Sequence, residues 1–248
     1  MLHMRIATLA PALFVLLFSI GYGLRFLRLL QNTALLNAAS SSFSRDYYVG
    51  SPGNPPLSYV VLGDSTVQGT GAPTLQDSLP YTVANMLAEQ GRYVHVTNLA
   101  VSGAEMADVA SRQLPQIGST NPDVVTLNCG ANDATHFTPT ASFQASLQTI
   151  LISLNNGSRT VYVADTPDVS RIPALPIIYS GLAGRRAAMQ NGILSTLLTD
   201  RHIVMIDLYA QGALTRSDQY ASDRFHPSPA GYAVWANLYA RAIAATQK

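Results

Sequence analysis

The chain has 248 residues, 48% of them hydrophobic and 12% charged, which excludes a wholly disordered protein and allows one large domain or two small ones. Four of its 15 basic residues lie in the first 45 positions, which contain no acidic residue, so the remainder has 11 basic and 14 acidic residues. A mildly acidic body offers no broad positive surface, and we expect no nucleic-acid partner.

The first predicted element is an apolar stretch of 19 uncharged residues at positions 6–24. As a helix it would be about 28 Å long, close to the hydrocarbon thickness of a bilayer. We predict a membrane anchor within residues 1–30, since no small-residue cleavage site follows closely. A cleaved signal segment and a helix packed on the domain remain open. The flanking arginines would by strict count keep the domain in the cytoplasm, but we expect it to be extracytoplasmic, membrane-anchored or secreted.

Residues 31–56 are rich in Ser, Asn, Ala, Gly and Pro and show no sustained apolar period. This composition is typical of a linker. We therefore expect the folded domain to span residues 57–248.

Within that domain, short β-rich apolar runs alternate with longer segments in which apolar residues recur three and four apart. The runs are residues 58–63, 93–100, 123–130, 160–165 and 202–208. Near-continuous apolar runs of this length are typical of strands buried on both faces. The alternation predicts the α/β class, with a parallel sheet of about five strands covered by helices on both sides.

Small polar clusters follow the first three predicted strands: Gly63-Asp64-Ser65, Ser102-Gly103 and Gly130-Ala131-Asn132-Asp133. Ligands of such sheets bind at the carboxyl ends of the strands, so these clusters should meet at one edge. Cys129, the single cysteine, precedes the third cluster and is expected to be buried. A lone cysteine excludes an internal disulfide and a thiol-based metal site.

Asp223 and His226 stand three residues apart, just before the last helical segment. At this spacing the aspartate can accept a hydrogen bond from the imidazole, which fixes its tautomer and stabilises the imidazolium. If the other imidazole nitrogen reaches Ser65, the pair becomes a nucleophile with its general base. Candidate oxyanion donors are the N–H groups of Ser65 and Gly103 and the side-chain amide of Asn132.

Four blocks, in this order, resemble those of the SGNH (GDSL-like) hydrolases. They are VVLGDSTVQGTG from Val60, NLAVSGAEMADV from Asn98, LNCGANDAT from Leu127 and SDRFHPSPAGYAVWA from Ser222. The resemblance covers the chain from about residue 58 to its C-terminus. Thr66 occupies the position at which the GDSL motif, from which the family takes its name, has leucine. This difference leaves the subfamily open.

The resemblance implies Ser65 as nucleophile, His226 as base, Asp223 as its partner, and an oxyanion hole from Ser65, Gly103 and Asn132. It implies a flavodoxin-like three-layer α/β/α sandwich and a serine ester hydrolase, carboxylesterase, lipase-like or deacetylase, acting through an acyl-enzyme. The substrate would be a small-molecule, lipid or glycan ester. No cofactor is expected.

Three other functions remain open. A metal-dependent phosphoesterase could use Asp64, Asn132, Asp133, Asp223 and His226 as ligands, although a second histidine cluster is lacking. A surface binding module could retain a vestigial site. An acyltransferase would use the same nucleophile with another acceptor alcohol.

The remaining candidates have structural interpretations. Asp133 is expected to be a helix N-cap and Asp64 to support its own turn, whereas His136 could contact substrate. Tyr232, Trp235 and Tyr239 recur three and four apart and are expected in the core. An apolar run at residues 172–179 could receive an acyl group or pack against the sheet.

Overall fold

The computed structural model describes residues 21, 24, 27–118, 121–155, 159–198 and 202–246. The predicted apolar span at residues 6–24 lies outside this part of the chain except for Gly21 and Leu24. Among the described residues, no helix combines the length and apolarity needed to cross a bilayer.

The described residues form one sheet of six strands. The strands are Asp46–Val49 (β1), Pro56–Gly63 (β2), Tyr93–Asn98 (β3), Val124–Asn128 (β4), Thr160–Ala164 (β5) and Ile203–Ile206 (β6). Their order is β1-β3-β2-β4-β5-β6, with β2 to β6 parallel and β1 antiparallel to β3. The five parallel strands coincide with the five predicted runs, and their order is that of flavodoxin-like sheets. The predicted fold class is confirmed.

Helices cover both faces of this sheet. Residues 27–41 are helical (α1). The others are Ser65–Gln68 (α2), Leu79–Ala88 (α3), Met106–Asp108 (α4), Leu114–Ile117 (α5), Ala131–Thr135 (α6), Thr140–Leu154 (α7), Ile177–Leu197 (α8) and Pro229–Thr246 (α9), with a π-helical turn at Val109–Gln113 between α4 and α5.

Alternate residues of β2 belong to two separate cores. Tyr59 and Val61 pack in one core with apolar side chains of α3 and α9, among them Tyr232, Trp235 and Tyr239. On the other face, apolar residues of β2 pack with α7 and α8. Successive side chains of a strand point to opposite faces of the sheet, so one core lies on each side. The helices on the two faces and the sheet between them form three layers. The burial expected for the α9 aromatics is confirmed.

The linker predicted at residues 31–56 is corrected in part, because this segment carries α1 and β1. β1 buries only Val49, so it has no apolar alternation that the sequence could reveal. Tyr48 of β1 stacks on Tyr93 and His95 of β3, with ring centroids 5.0 and 4.5 Å apart. The strand is held by main-chain pairing and these rings, although its own sequence resembles a loop.

The crevice of this sheet lies where β2 and β4 are neighbours. The chain leaves β2 toward α3 on one face and leaves β4 toward α7 on the other. Gly63 and Asn128, the last residues of the two strands, are paired in register. Their carboxyl ends therefore diverge around an opening, the usual position of a ligand site in such folds.

Candidate active site

The turn after β2 places Ser65 at this opening. Gly63 has φ +149°, and a Cβ there would lie 2.0 Å from the Asn128 carbonyl oxygen, so the close approach of the two strands requires glycine. Asp64 caps α2: its Oδ1 accepts hydrogen bonds from the Thr66 N–H at 2.9 Å and the Thr66 hydroxyl at 2.7 Å. As the first residue of α2, Ser65 has a backbone N–H without an intrahelical acceptor.

Ser65, His226 and Asp223 form one hydrogen-bonded chain. His226 Nε2 lies 2.9 Å from Ser65 Oγ, across 161 positions of sequence, and His226 Nδ1 lies 2.6 Å from Asp223 Oδ2. The exposed fractions of Ser65, His226 and Asp223 are 5%, 4% and 0%. The structure thus brings together the three residues that the sequence pattern selected.

The Asp223 carboxylate is held from several directions. Its Oδ1 accepts hydrogen bonds from the backbone N–H groups of Phe225 and His226, both at 3.0 Å, and Thr33 Oγ1 lies 3.1 Å from its Oδ2. Burial acts to raise the pKa of Asp223, but the hydrogen bond and positive charge of His226, with the two N–H groups, lower it overall. Asp223 is therefore a carboxylate beside the imidazole.

The candidate oxyanion donors lie on the neighbouring loops. Gly103 has φ +82° and open space where a Cβ would stand, and its N–H has no acceptor among the described residues. Asn132 lies in α6, and its Nδ2 donates one hydrogen to the Ala104 carbonyl at 2.9 Å. An amide has two hydrogens, so the second remains available for a substrate oxygen.

Asp133 does not cap α6, contrary to the sequence prediction. The N-cap position is occupied by Gly130, because Asp133 lies in the first turn and its Oδ2 accepts the Met106 N–H at 2.9 Å. Burial raises the pKa of Asp133 to about 7, and its buried Oδ1 has no partner. The carboxyl group ties the Gly103 loop to α6.

The other predicted residues divide between cap, surface and core positions. Asp64 is buried at the start of α2, as expected for a residue that supports its own turn, and burial raises its pKa. His136 is exposed, and its Nδ1 lies 2.8 Å from Glu105 Oε1. Cys129 is buried as predicted, and burial raises the pKa of its thiol.

The residues proposed as ligands in the phosphoesterase hypothesis do not form a metal site. In the described ranges, no group of three or more His, Cys, Asp or Glu side chains is placed to share an ion. Asp64 Oδ1 and Asp133 Oδ2 each accept a backbone N–H, and the Asp223 carboxylate faces the imidazole of His226.

Sequence reasoning missed the contribution of α1. Thr33 contacts Asp223, and Asn37 Oδ1 accepts a hydrogen bond from Ser102 Oγ at 2.9 Å. The one available signal was the recurrence of small polar residues at positions 33, 37 and 40, spaced four and three apart. A polar helical face is not distinguishable from a solvated one by sequence alone.

A cleft opens beside the imidazole of His226. Its wall includes Ile172, the first residue of the apolar run at 172–179, whereas Ile177 and Ile178 are exposed at the start of α8. The run therefore contributes to the cleft at one end and lies on the surface at the other. Most of the lining is apolar: Thr66, Ala131, Pro167, Asp168, Val169, Ile172, Gly212, Ala213, Leu214, Tyr220, Phe225, His226, Pro227 and Trp235.

Comparison with known proteins gives one family. Residues 61–234 match the model of the GDSL-like Lipase/Acylhydrolase family. A GDSL-like esterase of Mycobacterium tuberculosis is 27% identical over 195 residues, covering 72% of this chain and 59% of that protein. An arylesterase of Vibrio mimicus is 25% identical over 171 residues, covering 68% of this chain and 80% of that protein. The chain thus spans less than two thirds of the first relative.

Solved structures show the same fold. A lipase from a goat rumen metagenome superposes with a TM-score of 0.62 at 21% identity, over 75% of this chain and 97% of that one. An acetylxylan esterase of Geobacillus stearothermophilus superposes with a TM-score of 0.59 at 18% identity, over 79% and 95%. At these identities the likeness concerns the arrangement of strands and helices.

Proposed function

The chain belongs to the GDSL-like lipase/acylhydrolase family, and on this premise we propose that it is a serine ester hydrolase acting through an acyl-enzyme. The observation that carries the proposal is the continuous hydrogen-bonded chain from Ser65 through His226 to Asp223 at the crevice of the sheet. Carboxylesterase, lipase-like and deacetylase activities all fit this chemistry.

In the first half-reaction, Ser65 Oγ attacks the carbonyl carbon of the ester. Its proton passes to His226 Nε2, 2.9 Å away, and the buried Asp223 carboxylate stabilises the resulting imidazolium. A covalent bond forms between the serine oxygen and the acyl carbon, and the carbonyl oxygen becomes an oxyanion.

We assign the stabilisation of that oxyanion to three donors: the N–H of Ser65, the N–H of Gly103 and the second amide hydrogen of Asn132. The open space at Gly103 supports this assignment, because a substrate oxygen can approach its backbone directly. Prearranged donors of this kind lower the barrier without having to reorganise during the reaction.

The intermediate collapses when His226 returns the proton to the leaving alkoxide, which departs as an alcohol and leaves acyl-Ser65. Water then attacks the acyl carbon, gives its proton to His226 and generates a second tetrahedral intermediate. When the bond to Ser65 breaks, His226 protonates the serine oxygen and the acid is released.

The substrate is proposed to be an ester of a small molecule, a lipid or a glycan. The apolar cleft beside His226 supports an apolar acyl or aryl group on one side of the scissile bond. The relatives and neighbours include an arylesterase, a lipase and an acetylxylan esterase, which differ in the group they act on.

A test of this function uses the full chain, a chromogenic short-chain ester and a fluorophosphonate probe. We expect ester hydrolysis that is blocked by the probe and unaffected by chelator, and Ser65→Ala should lose at least about 1,000-fold in kcat together with probe labelling. Folding of the variant is checked by thermal unfolding.

Activity that survives in Ser65→Ala, or that is abolished by chelator and insensitive to the probe, would refute the serine mechanism in favour of the phosphoesterase. A folded wild type without turnover of any ester would indicate the binding module. Added alcohols that yield new esters faster than acid would identify an acyltransferase.

We also propose that residues 1–30 anchor the chain in a membrane, with the domain outside the cytoplasm. The 19 uncharged residues at positions 6–24 support this location. Fractionation of expressing cells should recover the full-length chain in carbonate-washed membranes, accessible to external protease. A shortened chain in the medium would instead indicate a cleaved signal, and recovery in the cytoplasm would contradict both.

A further inference from the structure

Helix α1 turns a polar face toward the catalytic edge of the sheet. Thr33, Asn37 and Ser40 lie on one side of this helix, and each side chain reaches a residue of the hydrolase body. Leu27 and Leu35 of the same helix are exposed. The side of α1 that contacts the body thus carries hydrogen-bonding side chains as well as the half-buried Leu36, which indicates that hydrogen bonds help to fix α1 to the body.

Thr33 contacts the oxygen of Asp223 that faces the imidazole. The hydroxyl lies 3.1 Å from Asp223 Oδ2 and 3.0 Å from the Leu29 carbonyl oxygen, so its one hydrogen has two acceptors. A charged acceptor is the stronger of the two. Asp223 is fully buried, and among the described residues Oδ2 has two hydrogen-bond partners, His226 Nδ1 and the Thr33 hydroxyl.

Asn37 contacts the loop that carries Gly103. Its Oδ1 accepts hydrogen bonds from Ser102 Oγ at 2.9 Å and from Thr70 Oγ1 at 3.0 Å. Ser102 is the residue directly before Gly103, so fixing its side chain restricts the peptide whose N–H is proposed to bind the oxyanion.

A second link from α1 reaches the same loop. Ser40 Oγ accepts a hydrogen bond from Gln68 Nε2 at 3.1 Å, and Gln68 Oε1 accepts one from the Ser102 N–H at 2.6 Å. Ser40 and Gln68 are both buried, so water does not compete for these bonds. The loop before Gly103 is therefore held at its side chain and at its backbone.

We propose that Thr33 and Asn37 are positioning residues of the active site, Thr33 through Asp223 and Asn37 through Ser102. Helix α1 is then part of the catalytic unit, although it precedes the region that matches the family. The inference rests on the proposed serine mechanism. Because Thr33 acts through Asp223 and Asn37 through Ser102, the inference predicts effects on kcat.

Thr33 is tested with a matched pair of full-length variants. Thr33→Val keeps the shape and loses the hydroxyl, whereas Thr33→Ser keeps the hydroxyl. We expect Thr33→Val to lower kcat about five-fold with KM changed less than about two-fold, and Thr33→Ser to remain within about two-fold of wild type.

Two readouts separate this role from a loss of packing: the fall in kcat with little change in KM, and its rescue by serine. Equal losses in Thr33→Val and Thr33→Ser, or a KM that rises as much as kcat falls, would overturn the role of Thr33.

Asn37 is tested with a double-mutant cycle. Asn37→Ala and Ser102→Ala should each lower kcat about ten-fold, and the double variant should lose little more than either alone, because both remove the same bond. Effects that multiply, or an Asn37→Ala variant with wild-type kcat, would exclude action through Ser102.

Two controls separate this inference from the function on which it rests. Ser41→Ala, on the exposed side of α1, removes only a bond to the Ala38 carbonyl and should leave kcat unchanged. If Ser65→Ala is inactive while the α1 variants match wild type, the serine mechanism stands and the positioning role fails. If Ser65→Ala is active, the proposed serine mechanism is wrong, and the positioning role that rests on it is wrong as well.

Discussion

Asp133 is a carboxyl group whose burial should be measurable as pH-dependent stability. Its Oδ1 is buried without a partner, and burial raises its pKa to about 7. The folded chain therefore binds this proton more tightly than the unfolded chain, in which the group has an ordinary pKa near 4. Proton binding by Asp133 therefore stabilises the folded chain. This stabilisation is complete below about pH 4 and is lost as the pH rises through 7.

Asp133→Asn removes that titration and keeps an oxygen to accept the Met106 N–H. We expect the variant to be more stable than wild type at pH 8, by about 2 to 4 kcal/mol, with the difference shrinking toward pH 4. Urea unfolding at both pH values measures it. Asp123→Asn is the control, since Asp123 accepts one backbone N–H at an exposed site. A stability difference between Asp133→Asn and wild type that does not change with pH would refute the raised pKa of Asp133.

At the residue scale, the sequence was sufficient to predict the candidate site residues that directly follow the ends of strands. Ser65, Gly103 and Asn132 each follow a strand, and Asp223 and His226 share a local spacing, so their convergence follows from a parallel sheet. Asp133 was assigned a cap because its side-chain chemistry suits one, but the Met106 N–H competes for it. The contact of Thr33 with Asp223 joins residues 190 positions apart and has no local sequence signal.

Strand β1 is an element held mainly by its neighbours. Tyr48 stacks between Tyr93 and His95, and opposite residues of β1 and β3 are paired across the edge of the sheet. Tyr48→Ala should lower the free energy of unfolding by about 1 to 2 kcal/mol and speed amide exchange in β1. Denaturant unfolding and hydrogen exchange measure these effects.

Tyr48→Phe is the matched variant, because it keeps the ring and loses only the hydroxyl. It should stay close to wild type in both measurements. Alanine and phenylalanine variants of equal stability would show that ring stacking does not hold the strand.

At the element scale, the predicted strands β2 to β6 were found because each coincides with a run rich in apolar and β-branched residues. β2, β4 and β5 are almost wholly buried, whereas β3 and β6 are buried only in part. α1 and β1 could not be found in this way. α1 presents hydrogen-bonding side chains to the body, and β1 buries a single valine, so neither has the apolar period on which such predictions depend.

For the whole molecule, the alternation of runs was sufficient to predict three layers and the edge that carries the site. The parallel strands are joined by connections on both faces of the sheet, with α3 on one face and α7 on the other. The domain boundary expected at residue 57 was harder to predict from the sequence. It depends on contacts between α1, a polar helix, and the loop that precedes α9.

The distance in sequence between Ser65 and His226 also sets when the chain can act during its synthesis. Ser65, the proposed nucleophile, follows the first parallel strand, whereas His226, the proposed base, comes 161 residues later, after the last strand. Chains fold progressively as they leave the ribosome. A nascent chain therefore carries the serine without its proposed base until the segment after β6 has been synthesised, and it should hydrolyse no ester before then.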